Sequence, residues 1–166
     1  MLYSTAYNIP CREFIPINES VIFEGAQGYG LDEAFGTIPH TTYSNTRPTY
    51  AVEFCGHFHL DKPKIYGLIR AYETRHGNGP MWKENSSVDV SKDHNKGGFA
   101  GKFRVGELNK SSVRQAYHHC KCDAMVINCM DHVPQKTRDE LISEFLPEIV
   151  SYGPTAEDRH QLLAKR

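Results

Sequence analysis

Ala124-Met-Val-Ile-Asn-Cys129 is a nearly continuous apolar run that follows Asp123 and leads into Met130-Asp131. A run of this kind is typical of a strand in a sheet covered on both faces, which occurs almost only where helices pack on either side of parallel strands. It directs the chain towards an α/β fold. The neighbouring segments agree. Lys64 to Tyr72 alternates, with Ile65, Gly67, Ile69 and Ala71 on one face and Tyr66, Leu68, Arg70 and Tyr72 on the other, the period of a strand. Asn109 or Ser111 can cap a helix reaching about His119, because a short polar side chain can accept from the free amides of the first turn. Thr137 to Leu146 carries Leu141, Ile142, Phe145 and Leu146 on one helical stripe and stops at Pro147. Glu148 to Ser151 reads as a last short strand, and Thr155, with Asp158 three residues on, as the cap of a C-terminal helix. Thr49 to Leu60 is a further predicted helix. Strands alternating with helices predict a mixed or mostly parallel sheet flanked by helices.

Val21 to Glu24 reads as a short buried strand, after which Gly25 to Pro48 is loop-rich, with four glycines and two prolines. Glycines let the backbone bend tightly and approach a ligand, and α/β sheets place ligand sites at strand exits. A loop this long in a compact domain is either functional or disordered. Thr74 to Gly101 is a second long polar loop. Residues 1–20, with two prolines and no period, read as an irregular lead-in to a single α/β domain over residues 21–166.

The 166 residues are 39% hydrophobic, enough for one core. A formal net charge of −1 and the lack of a basic patch argue against nucleic acid as a partner. No apolar run approaches the ~20 residues that span a bilayer, so no membrane partner is expected. Five cysteines, an odd number, and no recognisable signal peptide favour a reducing, cytoplasmic setting.

Five motifs, in order, resemble the adenylosuccinate synthetase family. They are Glu24-Gly-Ala-Gln27-Gly28 with Leu31-Asp32, Gly36-Thr37-x-Pro39 and Thr42-x-Ser44; Ala71-Tyr72-x-Thr74-Arg75-His76-Gly77-x-Gly79-Pro80; Gly101-Lys-Phe-Arg104-Val-Gly106; Asn128-Cys-Met-Asp131; and Ser151-Tyr-Gly153-Pro154. The resemblance runs from about residue 20 to about residue 160 and implies the carboxy-terminal half of that fold. It implies that Gln27 and Gly28 face a purine monophosphate, that Thr42 contacts its phosphate, and that Arg104 holds aspartate. Asp131, Ser151 and Gly153 would hold the base of a nucleoside triphosphate, ATP or GTP. Asp32-Glu33, Pro39-His40-Thr41-Thr42, Thr74-Arg75-His76-Gly77 and His94-Asn95 are closer to the phage-type 2-aminoadenylosuccinate synthetases, which join aspartate to dGMP. Physical chemistry agrees in part. The planar guanidinium of Arg104 suits a carboxylate or phosphate, and Asp131 at a strand exit could accept from a guanine edge. Each also has an ordinary reading: Arg104 as a solvated arginine, Asp131 as a turn cap, Gln27 as a partner for loop backbone.

Other features favour the ordinary reading. His118-His119-Cys120-Lys121-Cys122 has no second ligand pair of the kind a structural zinc needs. His57 and His59 read as half-exposed, Cys129 as an inert buried hydrophobe, and Lys62, Lys64 and Lys165-Arg166 as solvated.

The chain departs from the family in four ways. No segment of the 166 residues matches G-x-x-x-x-G-K-[ST], and the family's magnesium-binding acid and catalytic histidine have no counterpart. Cys129 stands where the family has lysine or histidine. Arg104 alone replaces several arginines. Asp131 to Ser151 is shorter than in the cellular enzymes. The expectation is a chain with no catalytic or metal residue of its own. The phosphate loop and magnesium seat would come from an amino-terminal half-synthetase chain, with a homodimer also possible. The competing expectation is a non-catalytic nucleotide-binding or synthetase-interacting module. A neighbouring reading frame with G-D-E-G-K-G would discriminate between them.

Overall fold

The computed structural model describes residues 20–84 and 101–162. Residues 1–19, including Cys11, the segment with His94-Asn95, and residues 163–166, including Lys165-Arg166, lie outside them. Six strands and three helices follow in order: α1 (Thr49–His57), β1 (Tyr66–Arg70), β2 (Glu73–His76), β3 (Phe103–Gly106), α2 (Lys110–His119), β4 (Ala124–Asn128), α3 (Gln135–Phe145), β5 (Ile149–Ser151) and β6 (Arg159–Gln161). The main sheet has the order β1-β4-β5-β6. β1, β4 and β5 are parallel, and β6 returns antiparallel to β5. The fold is thus a mixed, mostly parallel sheet with helices, as the apolar runs predict.

Local chemistry explains the elements. The Asn109 side chain accepts from the Ser112 amide at 3.1 Å and starts α2. Leu146 takes a left-handed conformation that ends α3 just before Pro147. Ile69, Ile127 and Val150 are register neighbours across three strands, and Ile127 and Val150 are fully buried. Val113 of α2 and Leu141 of α3 join the same core. A side chain added at Gly67 would lie 3.2 Å from Cys122 Sγ and 3.5 Å from Tyr117, so the end of α2 sits tightly over this face of β1.

Several expectations are corrected. The sheet is not covered on both faces: Leu68, register partner of Val126, is 64% exposed, and Tyr66 is exposed beside it. Val21–Glu24 is not a strand and is exposed, Ile22 at 92%. The second long loop contains β2, which pairs antiparallel with β3, Glu73 opposite Gly106 and Arg75 opposite Arg104. No C-terminal helix starts at Thr155. The Thr155 amide and hydroxyl do donate to Asp158 Oδ2, at 2.9 and 2.8 Å, but that pair closes a turn leading into β6. Lys64 is not simply solvated, since its ammonium donates to both Glu148 oxygens at 2.9 and 2.7 Å. His57 and His59 are exposed.

The burial pattern generates a stability prediction. Leu141 is 1% exposed and Leu146, five residues on, 80%. Leu141→Ala should lower the urea-unfolding free energy by about 2–5 kcal/mol through lost transfer energy and the cavity left behind. Leu146→Ala should change it by less than about 0.5 kcal/mol. Equal effects of the two would place the core elsewhere.

Candidate functional site

Three segments converge where the parallel strands end. β1 runs through Ala71, whose amide still donates to the Asn128 carbonyl at 2.9 Å, into the β2–β3 hairpin. β4 exits through Cys129 into a short 3-10 turn over Met130–His132. β5 exits through Ser151 into Tyr152-Gly153. Carboxyl ends of parallel strands are the usual ligand edge of an α/β sheet.

The β4 exit carries Asp131, whose carboxylate lies 3.3 Å from His132 Nε2. Arg138 of α3 fixes the turn from outside, donating to the carbonyls of Val133 (2.9 Å) and Asp131 (3.3 Å). Cys129 is corrected as well. It is half-buried and left-handed, with φ 59°, and begins the turn instead of filling the strand. It faces the buried hydroxyl of Tyr72, which burial, together with the nearby Cys129, pushes up to about 12. On the neighbouring exit, the Ser151 hydroxyl is buried and donates to the Gly153 carbonyl at 2.7 Å. Gly153 is held against Asp158, with no room for a side chain. Asp131, Ser151 and Gly153 therefore lie on adjacent strand exits.

The glycine-rich segment forms a closed loop packed on the C-terminal end of α2 and joined to the β2–β3 hairpin through the His40 carbonyl. Gln27 takes a left-handed conformation, φ 65°, and is exposed. The Gly28 carbonyl accepts from the Leu31 amide at 2.8 Å, and the Leu31 carbonyl from the Thr42 amide at 2.7 Å. That last bond brings Thr42 back to the turn that carries Gln27 and Gly28. The Thr42 and Ser44 hydroxyls are 3.4 Å apart. Tyr29 and Phe35 pack on His119 of α2, and the Tyr29 hydroxyl contacts His119 Nδ1.

Arg104 is neither solvated nor free. Its Nε and Nη2 donate to Glu84 Oε2 at 3.1 and 2.7 Å, and its Nη1 to the carbonyls of Gly77 and Gly79 at 3.1 and 2.8 Å. The guanidinium in turn holds the Glu84 carboxyl below its ordinary value. Arg75 clamps the same loop, donating to the Asn78 carbonyl at 2.8 Å and across to the His40 carbonyl at 2.9 Å. Arg75 stands in the motif, but its clamping role escaped sequence reasoning, as did Glu84; the pairing of Arg75 opposite Arg104 across the hairpin is what brings both guanidinia to one loop.

Among the described residues there is no group of three or more His, Cys, Asp or Glu placed to hold a metal ion. No helix among them is long and apolar enough to cross a membrane.

Comparison with known proteins bears on the family and the fold. The family model for adenylosuccinate synthetase matches residues 5–141. The synthetase of Anaplasma marginale is 37% identical over 118 residues, 68% of this chain and 28% of its own length. That of Ehrlichia ruminantium is 30% identical over 140 residues, 81% and 33% respectively. The chain thus spans a third or less of the length of these relatives. Among solved structures, the cyanophage S-2L succinoaminodeoxyadenylate synthetase, bound to dGMP and to dATP as an energy donor, superposes with a TM-score of 0.71. The match covers 82% of this chain and 45% of that one at 17% identity, a likeness of fold. The fully ligated adenylosuccinate synthetase of Plasmodium falciparum gives 0.55 at 28% identity, covering 68% of this chain and 28% of that one. With its model matched over most of the sequence and the same fold in its solved members, the chain belongs to the adenylosuccinate synthetase family.

Proposed function

We propose that this chain is the carboxy-terminal portion of a nucleotide ligase joining aspartate to a 6-oxopurine monophosphate, IMP or dGMP, at the expense of a nucleoside triphosphate. The observation that carries the proposal is the meeting of the β1, β4 and β5 exits on one sheet edge, with the glycine-rich loop tied to the β2–β3 hairpin by the Arg75–His40 bond, in a chain of this family. The reaction has two steps. The purine gives up its N1 proton to a general base as O6 attacks the γ-phosphorus, and a nucleoside diphosphate leaves. The aspartate amine then attacks C6, loses a proton, and expels phosphate. Positioning and charge stabilisation carry most of such a reaction. In this chain Gln27, Gly28 and Thr42 would hold the monophosphate, Arg104 the aspartate, and Asp131, Ser151 and Gly153 the triphosphate base. The setting is the cytoplasm, of a host cell where the gene is phage-borne.

The phosphate loop, the magnesium seat and the general base would come from an amino-terminal half-synthetase chain. The open sheet face suits that partner. β1 is an edge strand, and Tyr66 and Leu68 leave apolar surface exposed where parallel sheets are normally covered. A second reading, a non-catalytic synthetase-interacting module, is favoured by one observation: Glu84 and two carbonyls already engage the Arg104 guanidinium.

Three experiments follow from these assignments. The purified chain, given aspartate, magnesium, ATP or GTP, and dGMP or IMP, should show no turnover, and adding a phosphate-loop half-synthetase should restore it. Leu68→Glu, at an exposed position, should fold normally and block that restoration. Turnover by the chain alone would remove the need for a partner. No restoration with any half would favour the binding module.

In the reconstituted enzyme Arg104→Ala should raise the aspartate KM most, with a loss on the order of 2–5 kcal/mol for a truncated charge-assisted pair. Equal losses for aspartate and monophosphate would show that Arg104 acts only by clamping Gly77 and Gly79.

Asp131 and Cys129 bear on the choice of triphosphate. A carboxylate can accept from both N1 and N2 of guanine, whereas Cys129 cannot pack on the base as the family's lysine stem does. The motif set of the phage-type branch favours ATP. Initial rates with ATP and GTP should show ATP preferred. A GTP preference of about tenfold, roughly 1.4 kcal/mol, abolished by Asp131→Asn, would reverse the assignment.

A further inference from the structure

Asp32 is fully buried in a segment whose other residues are half-buried or exposed. Its Oδ1 accepts from the amides of Ala34 and Phe35 at 2.9 and 3.2 Å. Its Oδ2 accepts from the Thr46 amide at 2.9 Å and the Thr46 hydroxyl at 3.4 Å, and lies 3.5 Å from Arg47 Nε. One carboxylate thus ties the outgoing turn to a segment fourteen residues further on. Burying a charge is costly unless it is paired and hydrogen-bonded throughout, and here both oxygens are used. Among the described residues no strand ladder closes the loop; besides this carboxylate it is held by backbone bonds, Thr42 to Leu31 at 2.7 Å and Glu33 to Ser44 at 3.2 Å, and by the Tyr29 and Phe35 rings stacked beside His119. Gly36 shows how tightly the closed loop packs: an added Cβ would lie 2.7 Å from the Asp32 and Gly30 carbonyls and from Thr41.

We propose that Asp32 is the positioning residue of the monophosphate site. Its buried carboxylate closes the loop so that Thr42 stays beside the turn carrying Gln27 and Gly28. The inference rests on the monophosphate assignment made above, but it concerns a residue that touches no substrate. Arg47 completes the closure from the rim, where it also stacks on the Phe35 ring at 4.7 Å. Burial alone would raise the Asp32 carboxyl. The amides of Ala34 and Thr46, the Arg47 guanidinium and the Phe35 amide outweigh that and hold it below its ordinary value. A depressed folded value means that closure is complete at neutral pH and is lost as pH falls through that value, below the ordinary carboxylate range.

The test uses the full chain and the reconstituted enzyme. Asp32→Asn keeps the shape and one acceptor oxygen but turns an amide NH2 towards Thr46 or towards Ala34. Hydrogen exchange at the Thr46 or Ala34 amide should accelerate at least ~10-fold, the ratio for about 1.4 kcal/mol, while the Ile127 and Val150 amides stay protected. In the reconstituted enzyme the monophosphate KM should rise by a similar factor, ~10-fold, with kcat and the aspartate KM little changed. Arg47→Gln should act in the same direction and more weakly, and Asp32→Glu should recover part of the loss. Faster exchange with an unchanged monophosphate KM would reduce Asp32 to a structural cap and overturn the inference. Unchanged exchange at both amides would show that the carboxylate does not close the loop. Exchange as expected, in a wild-type enzyme that shows no saturable dependence on dGMP or IMP, would instead sink the monophosphate assignment while leaving loop closure standing.

Discussion

The register of Ile69, Ile127 and Val150 across β1, β4 and β5 is the constraint from which the rest follows. Packing these side chains against Val113 and Leu141 excludes water from one face of the sheet and sets three parallel strands side by side. Once they are parallel, their carboxyl ends share an edge, and whatever follows them in sequence must meet there. The β2–β3 hairpin, the Cys129–His132 turn and the Ser151–Gly153 exit are brought together by this pairing. A one-residue slip of β4 would turn Ile127 outwards and Asn128 into the core, so the same burial that stabilises the sheet also positions Asp131.

How far the sequence revealed this depends on whether a segment's signal was complete in itself. Ala124–Asn128 is apolar on both faces, and α2 has its own cap in Asn109, so both elements could be placed without knowing their neighbours. Val21–Glu24 has the same apolar character, yet no strand of the described residues takes it up and Ile22 stays exposed. A strand needs a partner, and local composition does not supply one. The β2–β3 pairing was illegible for the converse reason: Thr74 and Arg75 look like loop until Arg104 and Val105 are known to lie opposite. Thr155 and Asp158 show a third kind of miss. A hydroxyl and a carboxylate three residues apart close a turn as well as they start a helix, and here the turn feeds β6, whose pairing with β5 outweighs helix propensity.

The site shows the same division. The residues that carry the family resemblance are readable one by one, because each sits in a short motif. Their partners are not. Nothing local ties Arg104 to Glu84, or Arg75 to His40, thirty-five residues away. Asp32 appears in the motif without its role, since the role depends on Thr46 and Arg47 returning to it.

Two guanidinium groups give the arrangement its character. Arg75 and Arg104 face each other across the β2–β3 pairing and both grip the Gly77–Gly79 loop, the first reaching on to the carbonyl of His40. Arginine suits this role because its planar donor fork can bind several carbonyl and carboxylate oxygens in fixed directions. The glycine-rich loop is thereby coupled to the hairpin through rigid polar contacts, with few apolar ones that could rearrange. Glu84 then matters electrostatically. A guanidinium held only by neutral carbonyls would carry an uncompensated charge at 19% side-chain exposure, and Glu84, itself 47% exposed, compensates it from the solvent side. A partner at that exposure is held weakly, because water competes for both ions. A substrate carboxylate could therefore replace Glu84 at small cost while the two carbonyl contacts keep the loop in place. Among the described residues, the charged groups of this edge are arranged for holding and orienting, with no metal seat beside them.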